Sequence, residues 1–530
     1  MSAATSPDEP AKKKEIAIIG GGIIGCSAAY YLTRHPSYSP ATHQVTLLEA
    51  ASTSSGGRTA DSSLQDPAEL VVEGETGQPQ PRNPAHDGIA GGASGKAGGL
   101  LALWAFPQNI VPLSFRLHEE LAREHGGAAR WGYRRCNAGQ VECRARLPPP
   151  SAAGAAATSS PPKKAKKGRE DGDEGDDEDD DEVEEEDEVG EDDEDEAEAG
   201  AGTRPIIASR GKGLHNKVDD NAAARKKKLA ALGAPADLDW IDPSYSLLGY
   251  EGMGTPADTA QVHPELFTRS MAQMAEDAGV RIITGARVTS INTTTDDETE
   301  TETVESVTYV RKDSSDGDNE TDHTLPATDV IIAAGPWTSR LLPQIPVTAS
   351  RAHSIVVRTP GAAALSPYAL FTSIALPAGF PEPTTGGRVP LRRAAYAEPE
   401  IYARPDGTAY ACGPTDASEP LPETTAGVRV DEARCADIAA QIAAVSAELG
   451  GGGGGGGKKG EVIAKQACYL PQGGPFIGPV PGLRGAVVAA GHTCWGIQNA
   501  PATGKLVSEL VLEGRARSAR LGGCDPARVL

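Results

Sequence analysis

Residues 15–49 hold the pattern that most constrains this chain: a buried strand, a glycine-rich turn, a helix and a second strand closed by an acid. Ile16-Ala17-Ile18-Ile19 is an unbroken apolar run, as expected of a strand covered on both faces in a parallel sheet. It enters Gly20-Gly21-Gly22-Ile23-Ile24-Gly25, which satisfies G-x-G-x-x-G through Gly20, Gly22 and Gly25. Cys26 to Arg34 reads as helix and Val45-Thr46-Leu47-Leu48-Glu49 as strand. Gly20 permits the tight turn, Gly22 lets backbone approach a pyrophosphate, and Gly25 lets helix and strand pack closely. Past Ile23 and Ile24 the free N–H groups and positive dipole end of the helix face phosphate. Glu49 is suited to accept from a ribose 2′-hydroxyl. The stretch predicts a bound dinucleotide without saying which; the plainer reading is a glycine-rich loop in an ordinary sheet.

Much of the remaining length is biased sequence. Glu170 to Glu198 carries 23 acidic residues and no Lys or Arg, and without it the formal net charge of −24 becomes −1. The folded part is therefore close to neutral, and the acidity says little about its partners. Residues 148–236 join Ala/Pro/Ser sequence, Lys163-Lys164-Ala165-Lys166-Lys167, the acidic run and Arg225-Lys226-Lys227-Lys228. Such a segment buries too little apolar surface to offset its ordering entropy, so disorder is expected. Lys163 to Lys167 has the composition of a nuclear localisation signal and the acidic run that of a basic-protein contact; a solvated loop expansion is the simpler reading.

Residues 1–14 read as a disordered tail, neither signal peptide nor convincing transit peptide, and the C-terminal residues are not a peroxisomal address. No apolar stretch approaches the roughly 18 residues of a spanning helix, so no membrane insertion is expected. Eight cysteines without a C-x-x-C pair fit a reduced, cytoplasmic setting, and no metal-ligand spacing stands out.

Along the chain, 51–87 reads as an inserted loop, followed by a second glycine cluster from Gly88 to Leu101 that would let backbone lie flat against a planar ligand. Leu113 to His125 is predicted helix and Gly139 to Arg146 strand. Folding is expected to resume near Asp237, with a helix over Leu266 to Ala278 capped by Gly279. Val280 to Ile283 and Ala286 to Ile291 look like further strands of the first sheet, and Asn292 to Asp322 like a meander off it. Asp329 to Ala333 is another buried strand, so the dinucleotide domain is discontinuous.

Ser350 to Thr415 is antiparallel in flavour, with a hairpin over Glu400 to Gly413 turning at Pro405-Asp406-Gly407 and placing Tyr402 and Arg404 on one face. Asp431 to Leu449 reads as amphipathic helix, residues 450–460 as glycine-rich linker, Gly485 to Gly491 as the final strand and Pro501 to Glu513 as the closing helix. The expected class is α/β: a discontinuous Rossmann-like domain over 15–147, 237–345 and 461–530, with a second α+β domain on a mainly antiparallel sheet over 346–449 and some strands of the preceding piece.

Gly20 to Gly25, Gly91 to Leu101, Ile331 to Trp337 and Gly491 to Lys505 occur in the order and wording of one family. The chain resembles the FAD-dependent oxidoreductases of the D-amino-acid oxidase and sarcosine oxidase superfamily, within it a poorly characterised, largely fungal group. The resemblance implies FAD, with Gly20, Gly22, Gly25 and Glu49 holding the ADP half. It implies that Ser94, Lys96, Ala97, Gly98, Gly99 and Leu100 border the flavin, and that backbone at Val288 meets adenine. Ala334, Gly335 and Trp337 would close over the cofactor. Gly491, His492, Thr493, Cys494, Trp495 and Gly496 would pass beside the isoalloxazine ring.

Some relatives carry a basic residue where Gln498 stands; its absence weakens the case for a substrate carboxylate, a function that Arg404 could take over. Tyr402, Arg404, Trp495 and Gln498 are thus candidate substrate contacts. Cys468 lies where some relatives attach FAD covalently, although a structural cysteine is the simpler reading.

The function this implies is oxidation of the C–N bond of a small amine or amino acid, with oxygen as acceptor. The alternatives are a dehydrogenase using another acceptor, or a flavin-binding protein with a regulatory or trafficking role through its acidic arm. No catalytic base is named by the sequence, and no nucleic-acid module is present.

Overall fold

In the computed structural model the described residues are 13–52, 86–147, 213–296, 300–312, 320–362, 364–384, 387–450 and 460–528. The predicted tail, the loop at 51–87, the run 148–212 and most of the glycine linker therefore lie outside them, apart from their edges.

The strand Lys14–Ile19 is central to a six-stranded sheet, between Asp329–Ile332 and His43–Glu49 and parallel to both. The order runs Phe476–Pro479, Ala486–Ala490, Asp329–Ile332, Lys14–Ile19, His43–Glu49, Arg281–Thr284, and the first of these is antiparallel to its neighbour. Alternation along each strand feeds two cores. Ile16, Ile18, Val45, Leu47 and Ile331 pack against the helices Ile23–Thr33, Pro264–Glu276 and Gly496–Glu513. Ala17, Ile19, Leu48, Val330 and Ile332 face an antiparallel meander of Arg287–Asp296, Thr301–Lys312 and Glu320–Pro326. Covering both faces is what allows unbroken Ile and Val runs, each such side chain contributing about 1.5–3 kcal/mol on burial.

The second sheet has eight strands. Its main path runs Glu461–Gln472, Thr348–Arg358, Thr408–Asp416, Glu400–Ala403, Tyr368–Leu376, Asn137–Arg144, Leu247–Gly254, with Ala395–Ala397 also paired to Tyr368–Leu376. All its pairs are antiparallel except Tyr368–Leu376 with Asn137–Arg144. The helix Glu432–Ala443 covers one face, burying Cys435, Ile438 and Ile442.

Four boundaries differ from the sequence expectation. Asn137–Arg144 and Glu461–Gln472 belong to the antiparallel sheet, not to the dinucleotide domain; their periodicity marks a half-buried strand but cannot name its partner. The strand that begins at Arg287 belongs to the meander, because Gly285, at φ 71°, turns the chain out of the first sheet. The chain is helical over Gly213–Ala231, so folding resumes before Asp237. From Arg225 onward this helix is tied in: Leu229 is buried, and Arg225 donates to the carbonyls of Leu238 (3.0 Å) and Ile241 (2.6 Å). Its Lys-rich composition hid these two anchors.

The closing helix begins at Gly496, not at Pro501, which lies inside it. Proline has no N–H for the carbonyl four residues back. That carbonyl, on Ile497, is instead met by His118 Nε2 at 2.9 Å.

Candidate functional site

A cavity of about 390 Å³ opens at the C-terminal edge of the first sheet. Gly20, Gly22, Ile23 and Ile24 line it at the turn, and Gly22, at the cap position, gives the first-turn amides no side-chain partner. The turn admits only glycine at two points: Gly20 has φ 115°, and a Cβ on Gly25 would lie 2.0 Å from the Gly20 carbonyl oxygen. Gly25 thus stands behind the cavity as a packing residue and does not line it. Glu49 lines the cavity while its carboxylate accepts from the N–H groups of Gly21 (2.7 Å) and Ala51 (2.9 Å). Burial raises its pKa, and these backbone bonds oppose the rise. A carboxylate has about four acceptor sites, so two hydrogen bonds leave room for a ribose.

The opposite walls come from far along the chain. Ser94 Oγ accepts from Ile23 N–H at 2.9 Å, tying the second glycine cluster to the helix start. Val288, Ala334, Gly335 and Trp337 form another side, with Trp337 Nε1 donating to the Pro422 carbonyl at 2.7 Å. Gly491, His492, Thr493, Cys494 and Gly496 complete it. His492 is buried, burial lowers its pKa to about 3, and neither ring nitrogen has a hydrogen-bond partner among the described residues. Thr425, a residue that no motif flagged, adds a buried Oγ1 in the same condition. Two buried polar groups lining a glycine-walled slot are what a polar, flat cofactor would satisfy.

A second cavity, about 960 Å³, lies against the antiparallel sheet. It shares Ala97, Leu470, Thr493, Cys494 and Ile497 with the first, so the two meet along one strip of wall. Here the structure redistributes several candidates. Lys96, Gly98, Gly99, Leu100 and Trp495 line this second cavity rather than the first; the glycine run leaves the first wall after Ser94, and Ala97 stands on both. The Lys96 ammonium contacts the Gly91 carbonyl. Tyr402 and Cys468 also face the second cavity. Burial pushes the Cys468 thiol up to about 11, with Lys96 pulling the other way.

Two of the substrate candidates line neither cavity. Gln498 is fully buried, its Oε1 accepting from Ala102 N–H at 2.9 Å, which makes it a brace for the strand Leu100–Ala102. Arg404 is on the Tyr402 face of its hairpin, but its guanidinium reaches the Ala97 carbonyl (3.3 Å) and His263 (3.4 Å) and sits 5.4 Å from the Tyr410 ring centre. Its expected carboxylate contact is therefore not at the cavity wall.

One residue that the sequence reading did not single out is Glu400. It lines the second cavity and accepts from the Tyr402 hydroxyl, with the Cys412 thiol 3.8 Å away. Burial raises its pKa, opposed by those two donors. The same period of two that pairs Tyr402 with Arg404 also selects Glu400.

The family description "FAD dependent oxidoreductase" (DAO) matches residues 15–64 and 198–510. The chain belongs to the DAO family of FAD-dependent oxidoreductases. It is 30% identical over 563 aligned positions to "Putative oxidoreductase TDA3" of Saccharomyces cerevisiae, covering 97% of this chain and 94% of that one. It is 27% identical to "Putative oxidoreductase C1F5.03c" of Schizosaccharomyces pombe, covering 97% and 98%.

Among solved structures, glycine oxidase from Bacillus cereus shares the fold at a TM-score of 0.52 and 15% identity, over 95% of each chain. Iminodiacetate oxidase from Chelativorans sp. does so at 0.52 and 15%, over 96% of this chain and 98% of that one. The cofactor of this DAO-family enzyme is FAD. The glycine turn, Glu49 and the unsatisfied His492 and Thr425 suit its ADP and polar groups.

Proposed function

We propose that this enzyme oxidises the C–N bond of a small amine or amino acid, with oxygen as the final acceptor. The observation that carries the reading is the strip shared by the two cavities, which joins a dinucleotide slot to a separate chamber able to hold a small molecule. The solved relatives named as glycine and iminodiacetate oxidases support it. Bound FAD supplies the two-electron acceptor.

The chain's own residues bind, orient and shield. Tyr402, pressed against Gly98, forms one wall of the chamber. Trp495, on the chamber wall, is held edge to face against Trp104 with ring centres 5.7 Å apart. The closing helix starts at the shared strip, where its positive end favours accumulating negative charge. Glu400, lining the chamber, is suited to take a proton from a substrate ammonium at its carboxylate oxygens.

The test is a panel of amines and amino acids mixed without oxygen with the purified, flavin-loaded protein. Loss of the flavin's visible absorbance with a panel member, followed by peroxide on admitting air, is the expected result. A panel that bleaches nothing sinks the proposal; bleaching without peroxide replaces oxygen by another acceptor.

A further inference from the structure

The walls of the second cavity differ in charge from what an amino-acid carboxylate requires. Among its described lining residues the acids are Glu398, Glu400 and Asp437, and the cation is Lys96, whose ammonium contacts the Gly91 carbonyl. The nearby guanidinium of Arg404 is directed to the Ala97 carbonyl and to His263. A carboxylate entering the chamber would meet Glu400 without a guanidinium fork to receive it, and like charges at close range are costly.

The apolar part of the wall is aromatic. Phe371, Tyr402 and Tyr410 all line the cavity; Phe371 meets Tyr402 edge to face at 6.2 Å, and Tyr402 stacks on Tyr410 at 5.8 Å. Rings beside a carboxylate in a partly desolvated chamber are the chemistry that receives alkylated ammonium groups, through ring quadrupoles and charge together.

We infer that the second cavity takes a cationic secondary or tertiary amine bearing no carboxylate, its charge met by Glu400 and its N-alkyl groups by the rings of Phe371, Tyr402 and Tyr410. This rests on the proposed amine oxidation and narrows its substrate class. A cation at this point would also offset the burial that raises the Glu400 pKa.

The experiment uses full-length, FAD-loaded protein and two aryl probes of opposite charge that are not substrates, benzyltrimethylammonium and benzoate. Binding is read as saturable change in the visible flavin spectrum and, independently, by calorimetry. Benzyltrimethylammonium is expected to bind at least about tenfold more tightly than benzoate, equivalent to ~1.4 kcal/mol. Glu400→Gln should weaken the cation by about tenfold and leave benzoate unchanged or tighter. If that variant loses its flavin, Phe371→Leu serves instead and should weaken the cation by about threefold. Tighter benzoate binding, or cation binding indifferent to both substitutions, overturns the inference. Cation binding in a protein that no amine bleaches would leave this site standing and remove the proposed reaction.

Discussion

His118 Nε2 lies 2.9 Å from the carbonyl oxygen of Ile497, the backbone acceptor that Pro501 leaves without an N–H. A helix two-thirds of a chain away thus repairs the closing helix one residue from its start at the shared cavity strip. His118→Phe keeps an aromatic ring, slightly larger than imidazole, but leaves this buried carbonyl unpaired, costing about 1–3 kcal/mol. Denaturant melts should show that loss, and the flavin spectrum should shift; an unchanged midpoint would remove the repair role.

Acid should weaken the fold before it protonates most carboxylates. Burial lowers the pKa of His118 to about 4 and of His492 to about 3. Each binds its proton in the unfolded chain near pH 6.5 but not in the folded one, so stability is intact above about pH 6.5 and falls as pH drops. The slope approaches ~1.4 kcal/mol per pH unit for each group until the folded pKa is reached. Thermal melts from pH 7.5 to 4.5 check this, and a melting temperature flat across that range would contradict it.

A Cβ on Gly98 would fall 1.9 Å from two ring carbons of Tyr402. Gly98→Ala must therefore push that ring into the second cavity. The flavin slot, lined by neither residue, should still fill. FAD content is expected to stay near that of the wild type while kcat/KM on any working substrate drops about 10- to 100-fold. Loss of both together would mean that Gly98 serves the cofactor instead.

Cys468 faces the second cavity with a thiol that burial keeps protonated near neutrality. The nucleophile in such a linkage is the thiolate, which is scarce here. Acid precipitation should give a colourless pellet and a yellow supernatant. A yellow pellet that turns colourless in Cys468→Ser would establish a covalent link.

Deleting residues 149–212 should leave flavin content and melting temperature essentially unchanged. Extending the deletion to 236 removes Leu229, fully buried, and the Arg225 hydrogen bonds. Leu229 alone contributes about 1.5–3 kcal/mol, so the longer deletion should melt measurably lower. Equal melting temperatures would show that the helix end is not part of the packed body.

Local signals carried the cofactor half of the molecule. The run from Ile16 to Ile19, the three spaced glycines and Glu49 act through neighbours within one strand–turn–helix unit, so they can be read without tertiary context. The substrate half was legible only as strands and a hairpin. Arg404 has the right chemistry and period for a substrate clamp, yet it is held by Ala97 and His263, residues 307 and 141 positions away. Gln498 shares a helix with cavity residues but turns its amide to Ala102.

The motif at Gly20 to Glu49 determined by itself the strand–turn–helix unit that predicts a dinucleotide, because turn geometry, helix dipole and acceptor position are set within some thirty residues of chain. Only the tertiary structure decided what lies opposite. Strand pairing carries Asn137–Arg144 and Glu461–Gln472 into one sheet, and side-chain packing then sets Glu400 at the cavity wall and Arg404 away from it. Those choices depend on contacts hundreds of residues apart, which no local period encodes.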